Sequence, residues 1–257
     1  MTSKRPVPLS IWLQAIVFVL QITASSAAAD EAVSPFAPGE TLTYKLRWKF
    51  INAGTAVFQV QPVTQMHGIP AHHFLLTIRS SSFVDVFYKV RDRVEAYTDL
   101  AITRSLLYRN EQREGSYSRD VTVTFEWQNE IAQFENRGEK QDPIFIYPGT
   151  FDPLSVIYYL RMQELAPGNV LKAPATDGKR IVIGRVKVVE KQKVKVPAGK
   201  FDAFLVEPDL GRMGGVVKRS KAAAVQIWVS ADERRIPLKV SGSAKLGSFS
   251  AVLVSVE

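Results

Sequence analysis

The chain has 257 residues, no cysteine, and 33 Lys plus Arg against 25 Asp plus Glu. The missing thiols exclude disulfides, thiol catalysis and the lipid-modified cysteine of a bacterial lipoprotein. The positive balance suits an anionic partner without specifying one.

Lys4 and Arg5 precede a run from Leu9 to Ile22 that is apolar except for Ser10, Gln14 and Gln21. Ala27-Ala28-Ala29 supplies the small residues of a cleavage site. Residues 1–29 are therefore expected to be a signal peptide. The apolar run is shorter than the roughly 20 residues of a spanning helix. The expected destination is the periplasm, as a non-lipoprotein, where no nucleic-acid partner is met.

Glu40 to Trp48 alternates, with Leu42, Tyr44, Leu46 and Trp48 on one face. Period two of this length predicts a strand. Asn52-Ala53-Gly54 breaks it, and Thr55 to Val63 resumes. Strands are predicted over Ala71–Ser80, Val90–Thr98, Ser105–Arg113, Tyr117–Trp127 and Ile131–Asn136, with a short helical turn or loop over Ser81–Tyr88. The stretch Phe151 to Arg161 reads differently. Asp152 is a good N-cap, Pro153 fits the first helical position, and Ala166-Pro167-Gly168 is a stop. The predicted helix spans 152–165 and is apolar on most sides, so it must be covered. It packs across the sheet, or it acts as a lid over a cavity. Further strands follow at Lys179–Lys191, Lys193–Val196, Phe201–Glu207, Ala223–Ser230, Ile236–Val240 and Phe249–Val256. The expected fold is mainly β: a curved antiparallel sheet or partly open β-barrel with one central packed α-helix. Residues 30–257 form one domain, readable also as halves 36–147 and 169–257 joined by the helix.

Sequence motifs for a serine nucleophile elbow, a zinc protease, a phosphate loop or a dinucleotide fold are missing, and no catalytic residue, metal ligand or cofactor is predicted. His72 and His73 are adjacent on a strand and point to opposite faces. Asp92 shares a face with Val90 and Val94, so it needs partners. It either joins a polar network in the sheet or anchors a ligand. Trp48, Trp127, Tyr158, Tyr159 and Arg161 are the other candidate ligand contacts. Lys187, Lys191, Lys193 and Lys195, with Arg212, Lys218 and Arg219 beyond a glycine-rich loop, make a basic patch. Lysines of this kind protect a strand edge or meet an anionic envelope component.

Several segments together resemble a known family. They are Phe36-Ala37-Pro38-Gly39-Glu40 with Leu42 and Tyr44, Ala53-Gly54, and Tyr88 through Glu95. Later come Asp152-Pro153-Leu154-Ser155 through Arg161, Pro197 through Phe201, and Trp228 through Asp232 with Arg234 to Pro237. In this order they are similar to the exported bacterial domain-of-unknown-function family number 3108. The resemblance implies an exported, β-rich envelope protein and carries over no site residues. The leading expectation is a non-catalytic protein binding an apolar or amphipathic envelope molecule such as a lipid. A structural or assembly factor with a solid core is second, and a hydrolase of an envelope polymer third.

Overall fold

Period-two alternation becomes strand pairing along most of the chain. The structure is a computed structural model, and it describes residues 34–209, 225–244 and 247–257. β1 (Thr41–Trp48), β2 (Ile51–Met66), β3 (Ile69–Ser80), β4 (Arg91–Asp99), β5 (Ser105–Glu114), β6 (Tyr117–Glu126) and β7 (Ile131–Asn136) follow one another as an antiparallel meander. The short β8 (Glu139–Lys140) and β9 (Ile144–Phe145) both pair with β7. A second meander holds β10 (Val170–Thr176), β11 (Ile181–Val196), β12 (Gly199–Pro208), β13 (Val225–Ser230), β14 (Pro237–Ala244) and β15 (Gly247–Val256).

The seam between them is β15 against β1, with Leu42 opposite Val256 and Trp48 opposite Phe249. Among the described residues, one open antiparallel sheet of 15 strands results, running from β10 through that seam to β8. The predicted halves are thus continuous through their hydrogen bonds. The sheet does not close as a barrel, but its β10 edge is engaged. Phe151 forms a parallel bridge to Ala175, and the Ser105 amide donates to the Thr150 carbonyl at 3.2 Å.

Among the described residues, two helices interrupt the strands: α1 (Ser82–Asp85) and α2 (Ser155–Arg161). The second is half the expected length. Pro153 and Leu154 form a turn ahead of it, and the chain leaves helical geometry after Met162. The expected 152–165 counted every apolar residue before the stop signal. Leu165 is apolar for another reason: it lines a cavity outside the helix. Similarly, Lys179–Lys191 and Lys193–Val196 are one strand, β11, with a register shift between Val188 and Glu190.

Buried side chains form two principal cores. The first gathers Phe74, Val123, Phe125, Phe134, Phe151, Leu154 and Tyr158. The second gathers Leu42, Tyr44, Ala56, Ile236, Leu238 and Leu253. Phe58 and Leu76 pack against both.

Candidate functional site

Where the two cores meet, a cavity of about 510 Å³ remains. Its wall follows from strand alternation. Leu42, Tyr44, Leu46 and Trp48 come from one face of β1. β2 and β3 add Ala56, Phe58, Leu76 and Ile78, and the second meander adds Val206, Ile227, Val240 and Ala251. Ile157, Tyr158, Leu160 and Arg161 of α2 complete it. The lining is almost wholly hydrocarbon, so the space favours an apolar occupant over ordered water.

The helix is set in place by Asp152. Its carboxylate accepts from the Leu154 and Ser155 amides at 2.8 and 2.9 Å, and from the Ser105 hydroxyl at 2.5 Å. Ser105 also accepts from the Asp152 amide at 2.8 Å. These bonds satisfy first-turn N–H groups that would otherwise be buried without partners. Burial pushes the Asp152 carboxyl up, against the opposing pull of the Ser105 hydroxyl and the two amides. The residue is buried in the turn ahead of the helix, whose N-cap is Leu154 where Asp152 was expected, and it does not line the cavity.

Tyr158 stacks on Phe74, ring centroids 3.7 Å apart. Burial raises the Tyr158 hydroxyl and, more strongly, that of Tyr44, which donates to the Pro237 carbonyl at 2.6 Å. Arg161 is paired with Glu40 at 2.6 Å. Both guanidinium and carboxylate are thus engaged at the base of the cavity.

The remaining predicted residues separate. Trp48, Tyr158 and Arg161 line the cavity, while Asp92, Trp127 and Tyr159 do not. Asp92 is half-buried and accepts from the Arg113 amide at 2.9 Å, closing the β4–β5 ladder. That is a polar role within the sheet. The Trp127 indole donates to the Ser105 carbonyl at 2.8 Å, and Tyr159 stacks on Phe151 at 4.6 Å. Both support the first core. Asp232 orders the β13–β14 turn through Ser230 and Arg234.

The basic patch is divided. Lys187 stands opposite Glu207, whereas Lys191 stands opposite Phe204. Directly opposed residues share a face, and positions 207 and 204 of β12 point opposite ways. The bulge at Val188–Glu190 therefore puts Lys187 on one face and Lys191, Lys193 and Lys195 on the other. Lys193 is bonded to Asp202 at 3.0 Å, and Lys191 lies over the Phe204 ring. Arg212, Lys218 and Arg219 lie outside the described residues.

Phe58, Ile157, Leu160 and Phe249 were not among the residues expected at a site. Their apolar character was legible, but periodicity does not separate filled from unfilled interior.

Residues 43–254 match the protein family of unknown function DUF3108. The chain belongs to that family. None of the curated proteins matches it. Among solved structures it is similar to the β-barrel-like protein of domain of unknown function DUF1849 from Brucella abortus. That likeness has 12% identity and a TM-score of 0.51, over 85% of this chain and 96% of the other. A Parabacteroides distasonis protein described as a "putative lipoprotein" matches with 11% identity and a TM-score of 0.35, over 86% and 96%. A Bacteroides fragilis "putative exported protein" with a YmcC-like fold matches with 11% identity and a TM-score of 0.33, over 87% and 97%. The first likeness bears on fold alone.

Proposed function

We propose that this member of DUF3108 is a non-catalytic periplasmic protein, exported by a cleaved signal peptide, that holds an apolar or amphipathic envelope molecule such as a lipid. The observation that carries the reading is the cavity of about 510 Å³ between the two cores. Its size falls within the range of small-ligand sites, and its wall offers Trp48, Phe58 and Tyr158 as flat contact surfaces. An amphipathic occupant would also meet the Tyr158 hydroxyl, which has no hydrogen bond among the described residues. The assembly-factor reading requires a filled interior, and the cavity counts against it.

The test is native mass spectrometry with lipid extraction on protein purified from its own envelope. A co-purifying lipid is expected. Its loss is expected in Ala251→Trp, because Ala251 lies between Leu46 and Val240 in register and all three line the cavity. Wild-type protein free of lipid, which also takes up no fluorescent fatty acid, would overturn the proposal.

A further inference from the structure

One end of the sheet carries the β1–β2 turn, α1 and the first residues of β15. The Lys49 amide donates to the Ser248 carbonyl at 2.8 Å. Ser81 bonds through its amide to Ala53 and through its hydroxyl to Asn52. The three segments are therefore contiguous. Their side chains are unusually apolar for a surface. Phe50 is fully exposed, and Phe87, Val86 and Phe83 are 78%, 75% and 61% exposed. Trp48 and Phe249 are about half exposed. Tyr88 and Tyr117 lie at this end too; among the described residues, the exposed rings elsewhere are Phe145 and Tyr147. A contiguous patch of this kind marks a surface that meets something.

The charges around it select the partner. Arg47, Lys49, Arg79 and Lys89 make no ion pair among the described residues. Of the nearby carboxylates among the described residues only Asp85 is ion-paired, with Arg91; Glu114 accepts from the Tyr88 hydroxyl and Asp92 from the Arg113 amide, so the unpaired cations still outnumber the unpaired acids. Projecting aromatic rings among cations without an ion-pair partner match a bilayer interface, where rings enter the acyl boundary and cations meet anionic head groups. Trp48 and Phe249 belong both to this patch and to the cavity wall. We propose that this end of the sheet docks on an anionic lipid surface. The docking surface stands independently of what fills the cavity. Passage of a molecule between that surface and the cavity rests on the lipid-holding reading above.

The experiment uses residues 30–257, since both principal cores lie within the compact unit Ser34–Glu257. The protein is floated with phosphatidylcholine vesicles, with and without phosphatidylglycerol. Flotation is expected with the anionic vesicles and should weaken as salt is raised. Phe50→Ser with Phe87→Ser, and separately Lys49→Glu with Lys89→Glu, should each weaken vesicle binding about tenfold or more. Both pairs are exposed, so uptake of soluble fluorescent fatty acid should be unchanged. Ala251→Trp should lose that uptake and keep flotation, which separates failure of the cavity from failure of the surface. Wild-type protein that does not float, or variants that float like wild type, would overturn the proposal. So would wild-type dimers that fall apart in the phenylalanine variant without flotation, because the patch would then join two copies of this chain.

Discussion

Arg161 and Glu40, far apart in the chain, form a two-pronged ion pair, with Nη1–Oε1 at 2.6 Å and Nη2–Oε2 at 2.8 Å. Only 2% of the Arg161 side chain is exposed. The same guanidinium donates to the carbonyls of Pro35 and Arg234, both at 3.0 Å, and lies over the Phe36 and Tyr158 rings. One side chain thus ties α2 to the lead-in of β1 and to the β13–β14 turn. Glu40→Gln leaves that cation buried with its other bonds intact but its charge unpaired. A loss of about 3–5 kcal/mol is expected in urea unfolding. Arg161→Lys should cost a comparable amount, because an ammonium cannot reproduce the planar fork.

Gly54 sits where the β1–β2 register shifts. A Cβ there would stand 2.1 Å from the Arg79 carbonyl oxygen, a backbone atom that cannot swing away. Close approach of two backbones is the physical reason for glycine at this point. Gly54→Ala should destabilise by about 3 kcal/mol, read as a lowered melting temperature. Gly68, at φ +79 in an open turn with nothing within 4 Å, should lose much less on the same change.

Two buried tyrosines should respond differently to loss of the hydroxyl. Tyr44→Phe strands the Pro237 carbonyl, so about 1–2 kcal/mol of stability should disappear. Tyr158→Phe removes no hydrogen bond to the described residues and keeps the stack on Phe74. Its unfolding midpoint should move by less than about 0.5 kcal/mol. A change at Tyr158 that instead weakens retention of a bound amphiphile would place the hydroxyl on the ligand.

Asp85 anchors α1. The Arg91 guanidinium and the Ser80 hydroxyl hold its carboxyl down to about 2, from an ordinary value of 3.8. A depressed carboxylate binds protons more weakly folded than unfolded. Its stabilising contribution is therefore complete above the ordinary value and disappears as pH falls toward the folded one. Protection factors over residues 82–90, referred to the intrinsic exchange rate at each pH, should fall between about pH 4 and pH 2, ahead of those of β1 and β2. Asp85→Asn should show the lowered protection already at neutral pH.

Much of this molecule is written locally. Alternation in Leu42, Tyr44, Leu46 and Trp48 identifies an inward face because strand geometry sends successive side chains to opposite sides. Asp152 with Pro153 marks the approach to a helix, although the helix itself begins at Ser155, after the N-cap Leu154. The order of the motifs likewise places the chain in its family. The sequence did not show where the helix ends, since Leu160 and Leu165 look alike as letters while only one lies in α2. Nor did it show that Asp92 would meet an amide of β5 and leave the cavity to others.

Periodicity determined by itself that this is a mainly antiparallel β protein, because each residue's side is fixed by its immediate neighbours. Tertiary structure alone decided the β15–β1 seam, the Arg161–Glu40 pair and the unfilled space between two cores. Those depend on residues distant along the chain arriving at one place, and on their volumes failing to sum to the space enclosed. No local pattern encodes either quantity.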